Sequence, residues 1–326
     1  MVMANKWVLN VTTAPIFFIW TQLIIASILF LISDALRILP SRLTFDLKVC
    51  KGLIPNIVLN VTSLILSNYT LKNVDASFYQ VARGLVLPFT VLTSGILLRT
   101  RPSLLILLAC TVVTIGFFVG VFLDAVPVSS KGIFLGVASS FIAALHSAVI
   151  KISLDTVKST TKDDNHAALA LSWYTNLLSA VVLIPIFLLA GEGPGIVKLA
   201  FNLEELITPE GAPSHLETFL WGSFITGILG FLMSIASLLS IQVTSPITHM
   251  ISSAVRGVAA SLLGMWFFKE VITIGRASSI AIILAGSIWY TWIKNQETQR
   301  SKQSKGEYER VQMEDMEAAN DEERKE

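Results

Sequence analysis

The sequence predicts an all-α protein that crosses a membrane many times and is built as two inverted halves. Three observations carry this expectation. Apolar stretches of spanning length recur along all but the last thirty or so of the 326 residues. The few charges collect in the breaks between those stretches. A short motif centred on arginine occurs twice, at corresponding places. Hydrophobic residues make up 53% of the chain and charged residues only 14%, where a soluble domain carries about 25% charged residues.

A helix needs about 20 mainly apolar residues to cross a bilayer. Nine segments meet that length: 14–36, 53–71, 78–98, 104–123, 132–153, 167–190, 218–243, 247–268 and 273–294. None shows the alternating polarity over ~10 residues that a membrane β-strand requires. Ahead of them, residues 1–9 are apolar but half the needed length, and read as the end of one more helix. Arg99–Ser103 and Thr244-Ser245-Pro246 are tight breaks, the second set by a residue that cannot extend the preceding helix. The segment 191–217 is longer and rich in Gly and Pro, with Ile196–Ile207 an apolar-acidic stretch suited to the membrane interface. Residues 295–326 are rich in Glu, Lys, Arg and Gln, and are expected to form a disordered charged tail. The transmembrane domain is therefore 1–294, with halves 1–123 and 132–294.

Basic residues flank spans on the cytosolic side. Arg37, Arg42, Lys48 and Lys51, then Arg99 and Arg101, then Lys158 and Lys162, then Lys294, Arg300 and Lys302 all fall on one side. Lys72, Lys131 and Lys198 fall on the other, accompanied by Asp124, Glu192, Glu204, Glu205 and Glu210. The charged tail is thus expected in the cytosol. Asn10-Val11-Thr12 falls on the lumenal side as a glycosylation acceptor.

Val81-Ala82-Arg83-Gly84 and Ala254-Val255-Arg256-Gly257 each lie inside an apolar helix that ends in a short charged break before a Gly-containing span. Counting the partial first helix, they occupy spans four and nine. An odd number of helices per half inverts the halves relative to each other, the usual plan of secondary transporters with a site near the midplane.

Arg83 and Arg256 carry the sharpest chemistry. An ionised guanidinium inside the membrane costs at least about 2.5–3.5 kcal/mol. Two of them facing one cavity form a receptor for phosphate or diphosphate, since Arg binds oxyanions bidentately; the bland reading is an Arg that satisfies helix-end carbonyls or pairs with a carboxylate. Tyr79 and Gln80 lie one turn from Arg83. Ser172-Trp173-Tyr174-Thr175-Asn176 sets two aromatic faces beside an amide, suited to a base or sugar, although Trp and Tyr also serve as interface anchors. Thr244–Ser253 places hydroxyls and His249 within two turns of Arg256, with His249 and Ser253 on one helix face. His146 is a lone intramembrane histidine, and a bundle-satisfied role is as good a reading as a site role.

Nothing points to an enzyme, a metal site or a cofactor. Cys50 and Cys110 form no CxxC pattern, and no nucleotide-loop, HExxH or GxSxG motif is present. Net charge near zero offers nothing to nucleic acid. The expected partners are the bilayer, a small anionic solute and, at most, a second copy in a homodimer.

At these residues the sequence resembles the nucleotide-sugar/triose-phosphate transporter family of the drug/metabolite transporter superfamily, most of all its Golgi GDP-fucose branch. Asn5-Lys6-Trp7 resembles an Asn-Lys-aromatic signature of helix 1. Phe78–Arg83 resembles Phe-Tyr-Asn-Val-Gly-Arg, and Thr244–His249 is similar to Thr-Ser-Pro-Leu-Thr-His. Arg256 falls where the family has a Lys thought to meet phosphate. Trp173–Asn176 falls on a Phe-Tyr-Asn-Asn motif that meets guanine, with Thr175 in place of the first Asn. The resemblance implies a ten-helix inverted-repeat (5+5) drug/metabolite transporter fold with helix 1 truncated. It further implies a secondary antiporter, with GDP-fucose as the expected nucleotide sugar, exchanging for nucleoside monophosphate in the Golgi membrane. GDP-mannose, a triose phosphate and an endoplasmic-reticulum location are the alternatives, as is a membrane scaffold that transports nothing.

Overall fold

The computed structural model describes residues 1–97, 101–124, 128–161, 167–201, 214–243 and 246–323. Side chains are described for these except 151, 160–161, 237–243, 246–255, 301–302 and 304–323. All regular structure among the described residues is helical. In chain order the helices are α1 (Val2–Val11), α2 (Pro15–Ala35), α3 (Leu47–Gly52), α4 (Ile54–Asn73), α5 (Ala76–Gly84), α6 (Val86–Leu97) and α7 (Leu104–Phe122). They continue as α8 (Ser130–Thr161), α9 (Ala167–Leu189), α10 (Gly193–Ala200), α11 (His215–Val243), α12 (Pro246–Phe268) and α13 (Ile274–Glu323).

Local chemistry sets many of these ends. Pro15 and Pro246 open α2 and α12, where a missing N–H costs nothing. The Asp46 carboxylate caps α3 by accepting from Lys48 N–H, and Ser103 Oγ caps α7 by accepting from Ile106 N–H. The span expected over 78–98 is interrupted at Leu85. Pro88 has no N–H to offer the Gly84 carbonyl, and Gly84 itself favours the break. Ser140 Oγ–H then donates to the Ala82 carbonyl at 2.7 Å. The tail departs from the expectation of disorder: α13 continues past residue 294 to Glu323. Its Glu, Lys, Gln, Arg, Ala and Met are good helix formers, and extending an existing helix needs no new nucleus. The interfacial stretch expected at 196–207 is helical in α10 as far as Ala200, and residues 202–213 lie outside the description.

Among the described residues, six helices are long and apolar enough to cross a membrane: Pro15–Ala35, Ala76–Leu97, Leu104–Phe122, Ser130–Ser159, Ala167–Leu189 and His215–Ala236. Arg256–Phe268 is a shorter apolar stretch. α4 has the length, 20 residues, but carries Asn56, Asn60, Asn68 and Asn73.

Small residues fix how the helices pair. A Cβ on Gly116 would meet Ile283 at 2.8 Å, one on Gly120 would meet Ser279 at 2.6 Å, and one on Gly286 would meet Val113 at 2.7 Å. Gly275 sits directly on the Leu123 carbonyl. As the number rises on α7 it falls on α13, so the two run antiparallel in backbone contact. The same reading makes α4 antiparallel to α8, through Val74 on Gly132 and Thr70 on Gly136. α4 runs parallel to α9, through Asn56 with Thr175 and Asn60 with Ser179. α2 runs parallel to α11, through Thr21 with Ser223 and Ile25 with Gly227. All of these directions agree with a chain that reverses at each successive span.

The packing also repeats across the molecule. α7 lies on α13 and α5 on α12; α2 on α11 is matched by α9 on α4, and α4 on α8 by α11 on α1. One large apolar cluster joins α2, α4 and α9 around Phe30, Trp173 and Leu183, and another joins α1, α5 and α7 around Phe78 and Val113.

The α7–α13 contact has no room for side chains at its glycines. Gly116→Val forces Ile283 and its backbone N–H away, and is expected to destabilise the protein by about 1–3 kcal/mol. Gly193→Ala, with nothing within 4 Å, should be near neutral. Thermal unfolding of the purified proteins in detergent checks both.

Candidate functional site

The two arginine motifs meet at one seam. α5 and α12 lie side by side, with Ala76 against Gly264 and Gln80 against Gly257. The numbers run in opposite senses, so these helices are antiparallel too. A Cβ on Gly257 would stand 3.9 Å from Gln80 Oε1 and meet nothing nearer, which leaves space beside Arg256. Arg83 lies one turn beyond Gln80 on the same face of α5. Its guanidinium carbon sits 5.7 Å from the centroid of the Tyr79 ring, within cation–π range. Tyr79 is itself buried at 5% exposure. Arg83 and Arg256 are both exposed, and among the described residues neither has an ion-pair partner.

The second constellation is spread over three neighbours. Trp173 is buried and faces Phe30 of α2, with ring centroids 6.3 Å apart. Tyr174, only 1% exposed, accepts a hydrogen bond at its hydroxyl from Asp46 N–H at 2.8 Å and stacks on Phe45. Thr175 accepts from Asn56 Nδ2 at 3.1 Å. Asn176 donates to the Ser172 carbonyl one turn back and remains half-buried. The two rings are therefore core members that hold α9 to α2 and to the chain ahead of α3, while Thr175 and Asn176 are the less enclosed pair. Asn56 was not anticipated from sequence. It is 1% exposed, and among the described residues neither its Oδ1 nor Trp173 Nε1 has a hydrogen-bond partner.

His249 and Ser253 lie on α12, but their side chains fall outside the description, and Thr244 and Ser245 lie outside it altogether. His146 has a buried Nε2 with no hydrogen-bond partner among the described residues. Among the described residues there is no cluster of His, Cys, Asp and Glu able to hold a metal.

A charged network lies at the end of the bundle where α5 begins and α12 ends. Arg276, fully buried, donates from Nε to Asp124 Oδ2 at 2.7 Å and from an Nη to Asp75 Oδ2 and to Ser77 Oγ, each at 2.9 Å. The Glu270 carboxylate accepts from Ala76 N–H at 2.7 Å and Ser77 N–H at 3.1 Å, on the opening turn of α5. The favourable field of a helix N-terminus supports a carboxylate there. Lys6 of α1 donates to the Leu71 and Val74 carbonyls at 2.8 and 2.6 Å, closing the end of α4. Glu192 treats α2 as Glu270 treats α5, accepting from Ile16 and Phe17 N–H groups. Burial pushes its carboxyl up, against the pull of those two donors and of Lys72. The signal in the sequence was an arginine three residues inside a span, with acids at the ends of two others.

The model of the Triose-phosphate Transporter family matches residues 1–291. The chain is 29% identical over 318 residues to a "GDP-fucose transporter, Golgi" of Drosophila melanogaster, covering 93% of this chain and 88% of the other. It is 31% identical to a "GDP-fucose transporter 1" of Monosiga brevicollis over 311 residues, covering 92% and 87%. It is also 31% identical to one of Dictyostelium discoideum over 284 residues, covering 85% and 72%.

The Asn56–Thr175 contact carries a stability prediction. Thr175→Val strands the buried Asn56 amide, which already has one unpartnered atom, and is expected to cost about 1–3 kcal/mol. Thr175→Ser keeps the acceptor and should cost much less. Comparing the two melting curves in detergent checks this.

Proposed function

The chain belongs to the Triose-phosphate Transporter family, and from that premise we propose that it is a secondary antiporter carrying GDP-fucose across the Golgi membrane in exchange for a nucleoside monophosphate. Its similarity to GDP-fucose transporters supports the substrate. The single observation that carries the site is the α5–α12 seam, where Arg83 and Arg256 flank the contact of Gln80 with Gly257 and, among the described residues, have no ion-paired carboxylate.

In this reading α1, α2, α4, α5–α6 and α7 form one half, and α8, α9, α11, α12 and α13 the other, in a ten-helix 5+5 arrangement. The matched packing of the halves supports it. Arg83 and Arg256 bind the diphosphate, each giving paired N–H donors to phosphate oxygens. Tyr79 holds the Arg83 guanidinium, and Gln80, His249 and Ser253 line the ribose or sugar. Thr175 and Asn176 read the base, on a helix positioned by Trp173 and Tyr174. The tail after residue 294 lies in the cytosol, on the side of the basic loops.

Exchange follows from electrostatics. Two unpaired guanidiniums in a low-dielectric space are costly, and an anion lowers that cost. The loaded carrier therefore reorients more readily than the empty one, which couples entry of one nucleotide to exit of another.

Liposomes preloaded with GMP and bearing the folded protein are expected to accumulate labelled GDP-fucose; no uptake overturns the reading. Arg83→Ala and Arg256→Ala should each lower uptake at least about tenfold. Uptake unchanged in both variants would leave transport standing but remove the phosphate site. A panel with GDP-mannose and a triose phosphate in place of GDP-fucose fixes the substrate.

A further inference from the structure

We propose that Arg276, Asp75 and Glu270 form a latch that shuts one end of the transport path, and that the Asp75–Arg276 contact is the part that opens. This rests on the antiporter reading, since a latch has meaning only if the path is open to one side at a time.

The latch joins the two halves at the helices that carry the unpaired arginines. Asp75 and Ser77 stand at the start of α5, eight and six residues before Arg83. Glu270 follows the end of α12, and Arg276 lies in the opening turns of α13. Through Glu270 and Arg276 the second half holds the first turn of α5 by four hydrogen bonds, two to backbone N–H groups and two to side chains. Lys6 closes the same end from α1, through its bonds to the Leu71 and Val74 carbonyls. At the opposite end the Tyr174 hydroxyl takes a bond from Asp46, beside an exposed Phe45. The latch end is the sealed one: Ala76, Ser77 and Arg276 are wholly buried there, whereas Arg83 further along α5 is exposed.

The two carboxylates on Arg276 are not equivalent. The Asp124 side chain is 1% exposed and the Asp75 side chain 45% exposed. Asp124 closes α7, and α7 is locked to α13 through Gly116, Gly120 and Gly275. Thr273 Oγ–H also donates to Asp124. The Arg276–Asp124 pair therefore travels with a fixed two-helix unit. Asp75 belongs to α5, a short helix that breaks at Leu85. When α5 swings away, Asp75 is already partly hydrated, and Arg276 keeps one carboxylate and so is never left as an unpaired buried charge. A contact that separates at modest cost, beside one that does not separate, is what a reversible gate requires.

Sided chemical labelling tests this on the full chain without any substrate, so a chain that failed to carry GDP-fucose would still give an answer. Cys50→Ser and Cys110→Ser remove the native thiols, and Gln80→Cys places a reporter on α5 behind the latch. The protein is reconstituted in vesicles, and a membrane-impermeant maleimide is added on one side at a time. Asp75→Asn, which spares Arg276–Asp124, should raise labelling from the latch side about fivefold, with none gained from the other side. Glu270→Gln should act in the same direction. Labelling from the latch side that does not change in either variant overturns the proposal. So does a rise of equal size from both sides, which is the signature of a pair that merely stabilises the fold.

Discussion

Charge in a low-dielectric interior must be paired, and three arginines in this protein meet that demand in two different ways. Arg276 is wholly buried and carries two carboxylates and a hydroxyl. Arg83 and Arg256 have no ionic partner among the described residues, and lie exposed along the seam where the repeated motifs meet. Removing one partner from a buried ion pair costs several kcal/mol, so Arg276 makes a fixed point. The other two leave a demand for negative charge that no described residue meets with an ion pair. Two acids just outside the spans, Asp75 and Asp124, meet on Arg276.

The helix packing makes that distribution possible. Glycines on α7 and α13 allow the backbones to touch, which gives a rigid antiparallel unit with Arg276 and Asp124 at its end. The α5–α12 contact is looser. Its glycines meet a methyl group at 3.4 Å and an amide oxygen at 3.9 Å, not backbone. α5 is also cut short by Pro88. On its other faces α5 packs closely: Gly84 lies against Ile283 of α13, and its Val81 and Ala82 lie against Gly120 of α7 and Gly136 of α8. The Tyr79 ring beside Arg83 gives some compensation without neutralising it, since a cation–π contact is worth about 0.5–2 kcal/mol.

Much of this was legible in the sequence, because bilayer thickness imposes a length that composition reveals. The apolar runs located most helices closely, and the two copies of the repeated Arg-Gly motif lie on α5 and α12, which pack against each other. What stayed hidden depends on direction, not on identity. Asp124 read as a loop acid and Asp75 drew no reading, because nothing in one dimension says that both turn toward the same arginine, 152 and 201 residues away. Trp173 and Tyr174 read as stacking faces for a base or sugar, or as interface anchors, and their packing against Phe30 and Phe45 was not legible, since side-chain direction on a helix has meaning only once its neighbours are known. The charged tail read as disordered from its polarity, but helix propensity and a helix already begun at Ile274 carry it on to Glu323.

The central claim is that two unpaired guanidiniums create an affinity for phosphate, so the most direct measurement is the binding of GDP, GMP and guanosine to the purified wild-type protein by calorimetry. Affinity should fall in that order as phosphates are removed, by about a hundredfold or more between GDP and guanosine, and GDP binding should weaken as salt is raised. Equal affinity for GDP and guanosine, indifferent to salt, would contradict it.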